Sequence, residues 1–344
     1  MSYKKTLEGL SRLVDDDLRE RIRIVAEEGE KYHPFVGEVC RAVEDYVLRG
    51  GIRMASCSTL IVYQGYAGRT DESAIKAGTA IDLYRQSILA HDDIADAELF
   101  RRGGKTLHKI FEEKFGEHFG IGTAIFAGNV LYSLSLDAIM RSGFEQNKIA
   151  EAVGLLATGY QEVNESQMLD LLFEYKAPDV AEWSAMTGKR AASLFETSML
   201  MGAILASAPK KDLTMLGNAA VHMGYAFDIQ DDIIDTFATK EQYGRDPGGD
   251  LTKRKKPLHV ILAMQKDPRV ASIFQGKSKI TEDDIPRITA MIRDCGALDE
   301  AKTIIRKHGK EAKSLIAMTE MNREAKEVFI ALIEYVEESL DWYN

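Results

Sequence analysis

The chain carries one acidic pattern twice, as Asp92-Asp93-Ile94-Ala95-Asp96 and as Asp231-Asp232-Ile233-Ile234-Asp235. Each copy puts carboxylates at i, i+1 and i+4, and on a helix the i and i+4 groups lie on one face a single turn apart. Apolar residues lead into both copies, Ile88-Leu89-Ala90 and Ala226-Phe227, where an unpaired carboxylate would be costly. Hard divalent cations take oxygen ligands, and Mg²⁺ is held by a few carboxylates together with substrate phosphates. Asp92, Asp93, Asp96, Asp231, Asp232 and Asp235 are therefore expected to bind Mg²⁺ and, through it, a diphosphate. Half of the pattern also arises at Asp16-Asp17-Leu18-Arg19-Glu20, as on any solvated face; two full copies flanked by basic residues are a different matter.

With 344 residues, 45% of them hydrophobic, the chain can bury a large core. Its net charge of −10 argues against a nucleic-acid partner and makes an anionic substrate unfavourable unless metals and local cations intervene. Cys40, Cys57 and Cys295 show no ligand spacing and read as packed hydrophobes of a reducing, cytoplasmic setting. The polar stretch 1–18 has no secretory pattern. The most membrane-like stretch, Phe119 to Leu136, contains Asn129 and several small polar residues, which predicts a buried helix of a large helical protein. Val36, Val39, Cys40, Val43, Tyr46 and Val47 form a helical stripe ended by Gly50-Gly51. Thr281 with Asp284 resembles a capping box whose helix would stop at Gly296. Val328, Leu332, Tyr335 and Val336 repeat the stripe near the end. No Asn-Gly or Asp-Gly hairpin signal occurs. The expectation is an all-α single domain over 1–344, with both acidic motifs on core helices and a Gly-rich basic loop after each (101–105 and 243–256).

Those loops read Arg101-Arg102-Gly103-Gly104-Lys105 and Gly244-Arg245-Asp246-Pro247-Gly248-Gly249-Asp250, the second followed by Lys253-Arg254-Lys255-Lys256. A cation cluster beside each acid cluster suits a diphosphate, with metal on one side and guanidinium or ammonium on the other. On these residues the chain resembles the trans-isoprenyl diphosphate synthases of the polyprenyl synthetase family. Their DDxxD, four residues, then RRGxxTxH is matched from Asp92 through Arg101, Arg102, Gly103 and Thr106 to His108. Their second DDxxD is matched at Asp231, Asp232 and Asp235, their GQxxD at Gln167 and Asp170, and two further basic positions at Lys189 and Lys255.

The resemblance implies a helical bundle around a deep central cavity, acting as a homodimer. It implies Mg²⁺ joining the Asp motifs to an allylic diphosphate (geranyl or farnesyl), with Arg101, Lys189 and Lys255 on the remaining phosphate oxygens and Gln167 at the substrate. The allylic carbocation is then attacked by isopentenyl diphosphate. Product length in the family is set along the helix before Asp92. Ser87 is small there, so Tyr84, one turn of about 5.4 Å deeper, is the expected floor and the product a twenty-carbon geranylgeranyl chain, or one of twenty-five carbons if Tyr84 turns aside.

The chain also departs from its relatives. The family's GGKRxR becomes Gly50-Gly51-Ile52-Arg53-Met54-Ala55, so Ile52 and Ala55 stand where two cations help bind isopentenyl diphosphate. Arg85 replaces a third contact, and Arg102 is kept. A net loss of one charged hydrogen bond, worth roughly 1.5–3 kcal/mol, weakens the subsite about ten- to hundredfold. Arg190 replaces a Thr, Asn129 an Asp and Asp228 a Gln, and Asp228 is expected to add a carboxylate one turn before Asp231. Three readings follow: an elongating prenyltransferase whose isopentenyl site is rebuilt around Arg53, Arg85 and Arg102; a terpene-synthase-like enzyme that ionises an allylic diphosphate without condensation; or a weakly active subunit of a heteromer.

Overall fold

The computed structural model describes residues 3–239, 247–276 and 279–343, except the side chains of 192 and 193. Residues 243–246 of the second basic loop, with Gly244, Arg245 and Asp246, lie outside the described residues. The all-α expectation holds. The helices are α1 (Tyr3–Tyr32), α2 (Pro34–Leu48), α3 (Met54–Ala67), α4 (Glu72–Ala95), α5 (Leu107–Phe115), α6 (Glu117–Met140), α7 (Gln146–Tyr175), α8 (Val180–Leu205) and α9 (Lys210–Phe237). Then come α10 (Gly249–Thr252), α11 (Leu258–Lys266), α12 (Pro268–Gln275), α13 (Ile285–Asp294), α14 (Ala297–Met318) and α15 (Arg323–Ser339).

The chain forms two compact units. One comprises Met1–Tyr160, Thr197–Leu213 and Glu320–Ala325; the other comprises Gln161–Glu196, Thr214–Thr319 and Lys326–Asn344. In the first, α4 is the central element, packed against α6, α3 and α1. Asp71 caps it, accepting a bond from the Ala74 N–H at 3.0 Å, and Glu72 in its first turn faces the positive end of the helix dipole. Its residues are buried on nearly every side, including Ile81, Leu83 and Tyr84. Small residues let α6 approach closely: the Ser135 hydroxyl donates to the Ala80 carbonyl at 2.7 Å, and a Cβ on Gly128 would fall 2.3 Å from His91 Nε2.

In the second unit the core forms around Ile229, Ile233, Leu258, Ile261, Ile292 and Val336. The capping box at Thr281 and Asp284 is present, α13 ends before Gly296, and Gly296 takes a φ of 74° that suits glycine. The C-terminal stripe buries Val328, Leu332 and Val336, but Tyr335 stays 38% exposed at its edge.

Two expectations change. The stretch Phe119 to Leu136 is helical but not buried: one face of α6 packs on α4, and the other leaves Phe126 and Val130 at 70% and 46% exposure. The loop after the first motif contains a short antiparallel hairpin, β1 (Phe100–Arg101) with β2 (Gly104–Lys105). Its turn residues Arg102 and Gly103 have φ of 51° and 77°, positive at both positions as a tight I′ hairpin turn requires. Arg-Gly takes the place of the usual Asn-Gly, so no hairpin signal was visible.

Candidate active site

The first acidic motif occupies the last turn of α4, where helix geometry puts Asp92 and Asp96 on one face and turns Asp93 away from them. Asp93 is 1% exposed. It accepts a bond from the Tyr46 hydroxyl at 2.7 Å and another from Arg101 Nε at 2.5 Å. Burial holds its carboxyl above the ordinary range, against the opposing pull of Arg101 and Tyr46. Of the six acids expected at the metal, Asp93 is thus held inward as an anchor for Arg101. Asp96 ends the helix, its N–H on the Asp92 carbonyl at 2.8 Å.

Arg101 bridges the motif, with Nη2 3.2 Å from Asp92 Oδ2, because the hairpin folds it back. Arg49 secures the hairpin by donating to the Lys105 carbonyl at 2.7 Å, and a side chain on Gly104 would collide with Arg49 Cζ at 2.3 Å. Thr106 ties the hairpin base through its hydroxyl to the Glu98 carbonyl at 2.8 Å. Tyr46 was legible only as one residue of an apolar stripe; nothing in its spacing marks it as a partner of Asp93.

The arginines of the expected isopentenyl site divide into two groups. Arg53 is 4% exposed and fully engaged: Nε pairs with Asp15, Nη1 donates to Asp82 Oδ1 at 2.6 Å and Nη2 to the Val47 carbonyl at 3.1 Å. With every guanidinium nitrogen used internally, its placement does not fit the substrate contact expected of it. Arg85 and Arg102 differ. Among the described residues, no acid lies within ion-pair distance of either. Burial pushes both below the usual guanidinium value, Arg85 further by Arg102, and Arg102 by Arg53 and Arg101. The Arg102 guanidinium lies over Gly51, 3.4 Å from where a Cβ would stand. Ile52, beside it, is 57% exposed.

The second motif occupies the last two turns of α9. The Gly248 N–H donates to the Asp235 carbonyl at 2.6 Å, and Asp235 Oδ2 accepts the Asp250 N–H at 3.1 Å, so Asp235 holds the start of α10 and commits one carboxylate oxygen there. Asp231 is exposed. Asp232 is half-buried, and its Oδ2 has no hydrogen-bond partner among the described residues. Burial and then Asp228 hold its carboxyl well above the ordinary range, with Arg190 opposing.

Two of the departures in this region meet. Arg190 Nη2 lies 3.1 and 3.0 Å from the two carboxylate oxygens of Asp228, and Nη1 lies 3.0 Å from Asp170 Oδ1. Asp228 is therefore a counter-ion of Arg190 and not an added metal carboxylate. Burial favours a neutral Asp170, but Arg190 and then Lys255, 3.4 Å away, outweigh it and hold the carboxyl below the usual range. Asp170, Arg190, Asp232 and Lys255 line a cavity of about 40 Å³. Lys189, next to Arg190 but roughly 100° round the helix, is exposed and paired with Glu165. The Gln167 amide nitrogen is buried without a partner among the described residues.

These residues suit Mg²⁺ by their chemistry. The donors are all carboxylate oxygens, and Asp232 keeps a buried oxygen for a cation. Among the described residues, no three His, Cys, Asp or Glu side chains gather closely enough to hold a metal alone. Mg²⁺ commonly takes only one or two carboxylates and completes its shell with phosphates and water, so the set fits.

Residues 37–292 match the family model described as polyprenyl synthetase. The chain is 30% identical over 304 residues to a geranylgeranyl pyrophosphate synthase of Geoglobus acetivorans, covering 88% of this chain and 89% of that protein. It is 29% identical to a geranylfarnesyl diphosphate synthase of Aeropyrum pernix, covering 84% and 90%. Among solved structures, a geranylgeranyl pyrophosphate synthase of Corynebacterium glutamicum, complexed with isoprenyl diphosphate and magnesium, superposes with a TM-score of 0.85 at 23% identity. That match covers 94% of this chain and 98% of the other, and it confirms the fold.

The Arg190 cluster gives a direct test. Arg190→Thr alone strands Asp228 and leaves Asp170 with Lys255 as counter-ion, a loss of about 2 kcal/mol, below the 3–5 kcal/mol typical of a fully buried pair because part of the cluster is solvated. Arg190→Thr with Asp228→Gln should recover most of that loss in urea denaturation; additive losses would show that the two positions are not coupled.

Proposed function

The chain belongs to the polyprenyl synthetase family, and from that premise we propose that it is a Mg²⁺-dependent trans-prenyltransferase condensing isopentenyl diphosphate with geranyl or farnesyl diphosphate, with geranylgeranyl diphosphate as product. The observation that carries this reading is the pair Arg85 and Arg102. A condensing enzyme needs cations for a second diphosphate, and these two guanidinium groups lie near each other with no acid within ion-pair distance among the described residues, Asp82 acting on both and Asp92 on Arg85 only from farther away. An enzyme that only ionised an allylic diphosphate would have no use for them, which favours elongation over the terpene-synthase reading. The names of the relatives, geranylgeranyl and geranylfarnesyl synthases, support a product of that length class.

Bound Mg²⁺ supplies Lewis-acid stabilisation of the departing diphosphate; Asp92 and Asp96 are the carboxylates the first motif would offer it, and Asp231, Asp232 and Asp235 those of the second. Arg101, already anchored on Asp93, presents fixed positive charge where negative charge develops on the leaving group. Lys255 and Lys189 exchange their carboxylate partners for phosphate oxygens, and Gln167 offers an amide donor that has no partner among the described residues. The allylic C–O bond breaks with its electron pair leaving on the diphosphate. The isopentenyl double bond then attacks the allylic carbon, and loss of a proton forms the new double bond. Arg85 and Arg102 hold isopentenyl diphosphate for that attack, in place of the cations missing at Ile52 and Ala55.

The same reading makes the protein a homodimer, with the exposed apolar face of α6 (Phe126, Val130) as the contact between copies. Among the described residues α6 is the one helix long and apolar enough to cross a membrane, with 33% of its apolar window buried. A second copy would cover that face.

Metal dependence is tested by Asp92→Ala and Asp231→Ala, each expected to lower turnover by several orders of magnitude with helical content unchanged by circular dichroism. Full turnover in excess EDTA would contradict the reading. The isopentenyl site is tested by kinetics. Because Ile52 is exposed, Ile52→Lys with Ala55→Arg sacrifices little packing and should lower the KM for isopentenyl diphosphate about ten- to hundredfold, the worth of one charged contact. Arg102→Ala should raise it. An unchanged KM in both variants would remove these positions from the site.

A further inference from the structure

The stripe of α4 below Asp92 that was expected to guide the growing chain contains Tyr84, Ser87 and His91, and it is not bare. Tyr160, from α7, lies across it. Its hydroxyl is 3.0 Å from Ser87 Oγ and 3.3 Å from His91 Nδ1. Its ring meets the Tyr84 ring edge-on, with centroids 6.0 Å apart at 61°. It is also stacked on Tyr132 of α6, with centroids 3.9 Å apart and planes within 10°. His91, one end of this tie, is itself fixed, with Nε2 3.1 Å from the Ile125 carbonyl.

Tyr84 is differently placed. It is 1% exposed, and its hydroxyl sits 3.0 Å from where a Cβ on Gly159 would be. The tip therefore abuts the backbone of α7, as a packed core side chain does. Ser87 is likewise fully buried, with the Tyr160 hydroxyl on its Oγ. The bulk absent from position 87 is thus supplied from a neighbouring helix.

Building on the elongation reading above, we propose that Tyr160, backed by Tyr132, is the residue that sets product length, and that Tyr84 lies behind it as packing. A prenyl chain lengthening along α4 reaches the Tyr160 ring at the level of Ser87, before it can reach Tyr84. Further growth would have to turn the ring off its stack and break both hydroxyl contacts. The ring is the obstacle, and the hydroxyl contacts hold it in place. This explains how a chain with a serine at the level where a large residue would limit growth can still stop at a defined length.

The test is a product-length assay with farnesyl and isopentenyl diphosphates, the products being separated after dephosphorylation. Tyr160→Ala should lengthen the main product by at least one isoprene unit. Tyr160→Phe, which keeps the ring and its stack, should retain the wild-type length, and Tyr84→Ala should not lengthen the product while Tyr160 is present. A wild-type length in Tyr160→Ala together with a longer product in Tyr84→Ala would overturn the proposal. Should Tyr160→Ala fail to fold by circular dichroism, Tyr160→Leu serves instead: at least a threefold rise in the share of longer product supports the proposal, and an unchanged distribution overturns it. Wild-type protein that makes no elongated product at all would instead defeat the elongation reading, and this is visible before any variant is compared.

Discussion

Carboxylates placed on apolar helices must find positive partners, and the placement of the charged residues described here follows from that requirement. Asp93 faces inward and is held by Tyr46 and Arg101; Asp170 and Asp228 are held by Arg190. What these anchors leave is the chemically useful part. Asp92 and Asp96 share one face of α4, and Asp232 keeps a buried oxygen with no hydrogen-bond partner among the described residues. Burying an ion pair gives little net stability, since desolvation offsets most of the attraction. Its use here is to fix position. Arg101 cannot wander from the acids it neutralises, so its charge is already in place when a diphosphate arrives, and little reorganisation is needed during reaction.

The backbone serves the same end. The hairpin of β1 and β2 is too short to add much stability by itself, yet it turns the chain so that Arg101 points back over α4 while Arg102, in the turn, reaches Gly51. Glycine is needed at Gly51, where φ is 110°, and at Gly104, where a side chain would strike Arg49. On α6, Gly128 leaves room for His91, which in turn helps to orient Tyr160. Small residues thus let neighbouring helices set the positions of larger ones.

Much of this was legible in the sequence because it depends on local periodicity. The i, i+4 spacing gave the faces of the acidic motifs, the apolar stripes gave α2 and α15, and Thr281 with Asp284 gave a cap. What escaped depends on tertiary partners. Nothing in the spacing of Tyr46 ties it to Asp93, forty-seven positions away, and Tyr160 lies seventy-three positions from Ser87. Arg53 looked like a substrate contact because it lies in a basic motif; only the structure shows Asp15 and Asp82 closing around it. Arg190 and Asp228 looked like separate departures, and their pairing is a distance, which a sequence does not carry. The exposed face of α6 was read as buried because its composition is apolar, and composition does not say which side a neighbour covers.

The central claim is that anchored acids, together with Arg85 and Arg102, which have no ion-pair contact among the described residues, serve condensation rather than ionisation alone. The most direct measurement is to incubate the purified protein and Mg²⁺ with farnesyl diphosphate, with and without isotopically labelled isopentenyl diphosphate, and to identify all products. The account predicts label in a geranylgeranyl chain when both substrates are present, and no substantial hydrocarbon or alcohol when isopentenyl diphosphate is omitted. Hydrocarbons or alcohols formed from farnesyl diphosphate alone, with no label incorporated when both are supplied, would contradict it.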